Sequence, residues 1–192
     1  MSFFAVIILL TLTANLVLDQ FLGLCLVAET GRDLAGILLL GAVIAFVATA
    51  TASVNWLIYN GVLVPLGVPF FRTIVFLLTN IGLVTFLVLI ARGAAAGRLS
   101  TIADQLAIVA TNSLVLGVAL LVTDEGLGFT STLGAGLAAG VAFVVVGTAL
   151  ATIREQLEIE WTPKAMQGMP LTFLTLALIA LAFLAFEHVL PQ

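Results

Sequence analysis

The chain has 192 residues, of which 62% are apolar and only 8% are Asp, Glu, Lys or Arg, against roughly 25% charged in a soluble domain. So few charges and a mean hydropathy of +1.31 exclude a soluble enzyme, a disordered chain and a nucleic-acid binder, while the net charge of −4 is too small to imply a partner. At about 20 apolar residues per membrane-crossing helix, the apolar content is enough for about six such helices.

Six apolar segments follow one another, at 3–28, 34–59, 70–91, 102–122, 133–153 and 169–190. The first has no positive charge ahead of it, since the first basic residue is Arg32. It therefore reads as a retained helix rather than a signal peptide. It carries Asn15, Asp19, Gln20 and Gly23 before Cys25. A carboxylate at membrane depth is costly and faces protein or a water-filled cavity. The segment is also about 26 residues long, more than a straight span requires. A broken or re-entrant helix around residues 15–23 accounts for both facts, because irregular backbone is tolerated only inside protein. The alternative is a tilted helix on which Asp19 meets water near an interface.

Glu29 to Asp33 close the first segment. The second has a small-residue face at Ala45, Thr49 and Ser53. Pro65, Gly67 and Pro69 break the chain before the third, with Arg72 at its mouth. Residues 92–100 separate the third and fourth, and Thr101 and Asp104 have capping-box spacing. The fourth holds Ala110-Thr111-Asn112-Ser113 inside an apolar run. Thr and Ser can bond back to their own helix, but Asn112 needs a partner. The fifth carries Gly136, Gly140 and Gly147 on one face, a spacing that lets helix backbones approach closely. Residues 154–168 read as a connector with a short interfacial helix capped by Thr162-Pro163, and Pro170 suits the start of the sixth segment. Arg72 and Glu187, near helix ends, are expected to snorkel or to be solvated. His188, the one histidine, sits beside the C-terminus.

The basic residues set the orientation. Arg32, Arg92, Arg98, Arg154 and Lys164 lie in the 1–2, 3–4 and 5–6 connectors, and Arg72 alone lies on the other side. Those connectors are expected in the cytoplasm and both termini outside. Sliding the chain against itself by 97 positions pairs Asn15 with Asn112, Gly31 with Gly128, Phe46 with Phe143, and Thr51-Ala52 with Thr148-Ala149. This predicts a single all-α transmembrane domain over 1–192, with six helices in two inverted three-helix repeats (about 1–95 and 96–192). The broken or re-entrant helices fall in segments one and four, with Asn15 and Asn112 as equivalent breaks near the midplane.

Cys25 is the only cysteine, so neither an internal disulfide nor a metal site of several cysteines can come from this chain alone. No hydrolytic triad, phosphate loop or paired-cysteine motif is present. By itself the chain does not look like a complete catalyst.

The stretch from Asn15 to Cys25, with its FLGLC ending, resembles the first-helix signature of the RnfA/NqrE family. These are the A/E-type integral membrane subunits of the Rnf and Nqr complexes. Thr111-Asn112-Ser113 with the run to Leu121 resembles the same family, as do Phe71-Arg72-Thr73 and Ile153-Arg154-Glu155-Gln156-Leu157 followed by a final apolar helix. The resemblance covers essentially the whole chain and is nearer the RnfA type. It implies a six-helix inverted-repeat subunit of the bacterial or archaeal cell (inner) membrane, paired with a homologous RnfE/NqrD-type subunit of opposite orientation. The complexes couple electron transfer to Na⁺ or H⁺ translocation, Rnf between ferredoxin and NAD, Nqr between NADH and quinone.

In that family, the cysteine of FLGLC and one in the TTNC segment bind a [2Fe–2S] cluster with two cysteines from the partner. Cys25 matches the first. Ser113 stands at the place of the second, a harder and much less acidic donor than a thiolate. The expectation is a cluster shared with the partner, with Cys25 as one ligand and Ser113 as a candidate ligand or a remnant. Asn15 and Asn112 would hold the broken helices, and Asp19 would bind or pass a cation. The rival readings are a small inverted-repeat secondary transporter, a structural scaffold, and the NqrE-type subunit of a Na⁺-translocating NADH:quinone reductase.

Overall fold

The computed structural model describes residues 3–13, 15–23, 26–27, 34–94, 109, 112–159 and 168–187. Cys25, Arg32, Arg98, the Thr101/Asp104 box, Thr162-Pro163, Lys164 and His188 lie outside the described residues.

Every regular element among the described residues is a helix, with no strand. In chain order they form α1 (Phe3–Ile8), running into a wider π turn at Leu9–Thr13, and α2 (Leu16–Asp19). Next come α3 (Leu34–Ile58), continuing as a π turn over Tyr59–Leu63, and α4 (Arg72–Ala94), entered through a 3-10 turn at Pro69–Phe71. Then follow α5 (Ser113–Asp124), α6 (Phe129–Ile159) and α7 (Met169–Glu187). Three stretches are long and apolar enough to cross a membrane: Leu34–Leu63, Pro69–Ile90 and Phe129–Gln156. Val6–Asp19, Ser113–Asp124 and Met169–Leu184 are shorter apolar helices.

α4 runs on to Ala94 and so takes in Arg92, and α6 starts at Phe129, ahead of the expected 133, but the larger departure is at the end of α6. Arg154 does not open a separate connector but lies inside α6, which continues to Ile159. No glycine or proline interrupts residues 152–159, so nothing there breaks the helix. From that position Arg154 donates to the Thr172 hydroxyl and ties the end of α6 to the start of α7.

The centre of the fold is the crossing of α3 and α6. A Cβ added at Gly136 would lie 2.4 Å from Thr49 Cα, and one at Gly140 would lie 2.4 Å from Ala45 Cβ and 2.7 Å from the Gly41 carbonyl oxygen. A Cβ at Gly41 would in turn lie 2.2 Å from Val144 Cγ2. Numbers fall along α6 as they rise along α3, so the two helices run antiparallel. The two small-residue faces are thus pressed backbone to backbone, and dispersion replaces the hydrophobic drive that lipid does not supply. The hydroxyls on these faces bond back to their own helices. Thr49 donates to the Ala45 carbonyl at 2.7 Å, Ser53 to that of Thr49 at 2.6 Å, and Thr148 to that of Val144 at 2.8 Å.

α4 is the most outward of the three long spans, with Ile74, Leu78, Ile81, Phe86 and Leu89 exposed, as suits a lipid-facing helix. Polar groups hold it to the rest. Asn55 Nδ2 of α3 donates to Asn80 Oδ1 of α4 at 2.8 Å, and both residues are buried. Arg72 pairs with Asp124 at the end of α5, at 2.5 Å, rather than only snorkelling. The Tyr59 and Phe76 rings meet edge to face.

Among the described residues, Asn55 Oδ1 has no partner. Interhelical hydrogen bonds in membranes contribute about 0.6 kcal/mol on average, but stranding a buried amide costs about 1–3 kcal/mol. Asn80→Leu alone is therefore expected to destabilise the protein by about 1–2 kcal/mol. The double variant Asn55→Leu/Asn80→Leu should recover most of that loss, because both polar groups are then gone. Equilibrium unfolding in bicelles checks this; a double variant no more stable than the single one would refute it.

Candidate functional site

The polar residues of the first and fourth segments build two similar helix starts. Asn15 has φ −70° and ψ 105°, outside the helical region, and its Oδ1 accepts from the Val17 N–H at 3.0 Å. Asn112 has φ −73° and ψ 127°, and its Oδ1 accepts from the Leu114 N–H at 2.9 Å. Each amide caps the first turn of the helix it precedes, a task asparagine suits because its side chain replaces a missing intrahelical acceptor. Asn15 also reaches back, its Nδ2 donating to the Thr11 carbonyl at 2.9 Å. It therefore bonds to chain on both sides of the break while only 1% exposed.

Asn15→Ala strips both bonds in a buried place and is expected to cost about 2 kcal/mol. Asn112→Ala, half-buried and losing one cap bond, should cost about 1 kcal/mol. Unfolding titrations rank the two, and equal costs would show that burial of the cap adds nothing.

After α2 the chain turns sharply. Phe21 adopts φ 54° and Gly23 φ 77°. The first is strained for a residue with a side chain, whereas the second is open to glycine. The Leu26 N–H then donates to the Gly23 carbonyl at 3.1 Å as helical backbone resumes. This turn is seated on the start of α5. A Cβ at Gly23 would lie 3.3 Å from both Asn112 Oδ1 and Leu114 Cβ, and Leu22 Cδ1 fills the notch left by Gly117, 2.2 Å from where its Cβ would be. The Gly23 N–H donates to Ser113 Oγ at 3.1 Å. Residues 90 positions apart are thus joined, and the two breaks interlock.

The sequence singled out five site residues. The structure brings the Asn112 and Ser113 helix start against the turn that leads to Cys25, which itself lies outside the described residues. Asp19 does not join them. It is exposed at the end of α2 and lines a groove of about 500 Å³ with Leu18, Phe21, Ala177, Ala180 and Leu184. Ser113 lines a different groove, of about 320 Å³, with Gln20, Leu22, Gly117, Leu121 and Asp124. Among the described residues, no three His, Cys, Asp or Glu side chains come together as a metal site.

A four-thiolate cluster with two donors from each chain does not fit this donor set. The chain has one thiol, and the residue at the second place offers a hydroxyl already bonded to a backbone N–H.

Sequence reasoning missed three features: the Leu22–Gly117 fit, the strained Phe21 and the buried Asn55–Asn80 pair. Asn80 could have been found, because it interrupts an apolar run as visibly as Asn112 does. Phe21 and Gly117 gave no comparable signal, since their importance depends on what lies against them.

Apolar spans and a core made by helices crossing at small residues define a multi-pass helical membrane protein. A family model described as "Rnf-Nqr subunit, membrane protein" matches residues 3–190, and the chain belongs to that family. It is similar to the A-type component of the ion-translocating oxidoreductase complex of Azoarcus sp. (33% identical over 175 residues, 91% of each chain). It is also similar to the A-type component of the Na⁺-translocating ferredoxin:NAD⁺ oxidoreductase complex of Acetobacterium woodii (31% over 173 residues, 90% of each chain). A third relative is the A-type component of the proton-translocating ferredoxin:NAD⁺ oxidoreductase complex of Clostridium ljungdahlii (29% over 186 residues, 97% of this chain and 96% of the relative). The family expected from FLGLC and the Asn112 segment is borne out, and these relatives carry the A designation.

Proposed function

We propose that the chain is the A-type membrane subunit of an Rnf-type complex, which couples electron transfer between ferredoxin and NAD to translocation of Na⁺ or H⁺. The observation that carries this reading is the match to relatives of the A designation over nine-tenths or more of both chains. The names of those relatives include both a Na⁺ and a proton form.

The same reading includes six membrane segments in two inverted repeats. Asn15 and Asn112, 97 positions apart, cap their helices by the same bond. Shifted by 97, α3 falls within α6 and the start of α4 falls on the start of α7. The antiparallel crossing of α3 and α6 agrees with halves of opposite orientation. In a bacterial or archaeal inner membrane, the basic connectors would face the cytoplasm and both termini the outside. A homologous subunit of the RnfE/NqrD type would be the direct partner. Cys25 would give one thiolate to a [2Fe–2S] cluster shared with it, and other subunits would hold flavin and nucleotide. Asp19, on its open groove, is the candidate for cation passage.

Affinity purification of the tagged chain from native membranes tests the reading. The expected result is a complex with flavin- and cluster-binding subunits that reduces NAD with ferredoxin and moves Na⁺ or H⁺ across vesicles. NADH:quinone activity instead would assign the chain to the Nqr type. Solute transport by the chain alone in proteoliposomes would overturn both.

A further inference from the structure

We propose that Ser113 is a positioning residue that fastens the turn before Cys25 to the start of α5, and that it makes no bond to iron. The proposal rests on the Rnf-type reading above, in which position 113 is the place of a cluster ligand. A hydroxyl has one proton and two lone pairs. One lone pair of Ser113 Oγ takes the Gly23 N–H at 3.1 Å. This N–H belongs to a turn between two helical pieces, where no regular ladder supplies an acceptor. Two further contacts fix the same turn. Gly23 is pressed against Asn112 and Leu114 so closely that a Cβ would lie at 3.3 Å from each, and Leu22 occupies the Gly117 notch. The three contacts act on adjacent residues from one face of one helix, so the clasp sets the height of the turn along α5. Cys25 follows Gly23 by two residues in the sequence.

The chemistry of the donor points the same way. Iron–sulfur clusters are held by thiolates, and thiolates form readily because a free thiol titrates near about 8.5. An aliphatic hydroxyl does not ionise in that range. At this position the chain has exchanged a metal donor for a backbone acceptor. In the assembled complex, this subunit would contribute Cys25 and no second ligand.

The test uses the intact complex from native membranes with Ser113→Ala or Ser113→Thr in this chain. Hydrogen exchange is read on the peptide containing Gly23, and iron is measured per complex. Losing one hydrogen bond of ordinary net strength is expected to speed exchange at the turn about tenfold in Ser113→Ala. Ser113→Thr keeps the hydroxyl and should restore wild-type exchange. Iron content and the EPR spectrum of Ser113→Ala should equal those of the wild type.

Wild-type exchange in Ser113→Ala, or faster exchange that Thr does not rescue, would overturn the clasp. Iron loss or an altered EPR spectrum in Ser113→Ala, restored by Thr, would make Ser113 a ligand and overturn the proposal. A wild-type complex with no iron at this centre agrees with it and leaves the exchange measurement to decide. Failure of the Rnf-type reading is seen separately, because co-purification of the electron-transfer subunits is scored on the wild-type chain before any change at residue 113.

Discussion

Gly136→Leu is expected to abolish assembly of the folded protein. Any side chain at 136 would begin 2.4 Å from Thr49 Cα and 2.6 Å from Thr49 N, and backbone atoms cannot turn aside as a flexible side chain can. α3 and α6 would have to separate, and the packing along their whole contact would go with the separation. Overpacking a close contact costs about 1–3 kcal/mol even where the surroundings can adjust. Here, with backbone on the other side, the loss should exceed about 3 kcal/mol, more than a hundredfold in the folded fraction. Gly82→Ala on the outward face of α4 is the control, since no atom of the described residues lies within 4 Å of its Cβ position. It should be neutral or slightly stabilising, because alanine favours a helix over glycine by about 1 kcal/mol. Yield of monodisperse protein and thermal unfolding in detergent measure both. Normal folding of Gly136→Leu would mean that the crossing is not the centre of stability.

Cys25→Ala should remove the shared cluster if the chain serves the proposed complex. It would leave the complex assembled, because the turn before residue 25 is held by Leu22, Gly23 and Ser113 rather than by the thiol. Ferredoxin-dependent NAD reduction is expected to fall more than about a hundredfold, or by more than about 2.7 kcal/mol of barrier. The [2Fe–2S] EPR signal would disappear with it. Assay and spectrum are taken on the same purified complex. Retention of both would show that Cys25 is not a ligand, and loss of the complex itself would show that it is a structural residue.

Much of the helix plan could be read from apolar runs punctuated by glycine, proline and charge. The second and third segments end within a few residues of α3 and α4 for that reason. The end of α6 could not be read, because Arg154 to Ile159 are polar enough to look like a connector yet contain no residue that stops a helix. Asn15 and Asn112 stood out because an amide in an apolar run demands a partner, and both have one in the nearest backbone. Asp19 and Ser113, singled out separately, line different grooves. Just after Asp19 the backbone turns through left-handed residues at Phe21 and Gly23. A turn of that kind depends on left-handed backbone at one aromatic residue, which no spacing of residue types encodes. The family itself was legible in FLGLC and the Asn112 segment, and the Gly23–Ser113 hydrogen bond joins the described parts of the two.

The hydroxyls of Thr49, Ser53 and Thr148 also bear on the order in which the helices come together. Each is satisfied by its own helix before any neighbour arrives, so the face α3 turns toward α6 is already at ease in hydrocarbon. Asn55 and Asn80 are not in that position. Each carries amide hydrogens and a carbonyl that one helix cannot fully satisfy, and in lipid the loss lasts until a partner is found. α3 and α4 are joined by a connector of only about a dozen residues, so loop closure costs them little. They should therefore insert and pair as a hairpin. The glycine crossing with α6 would then close second, as a dry fit between finished surfaces.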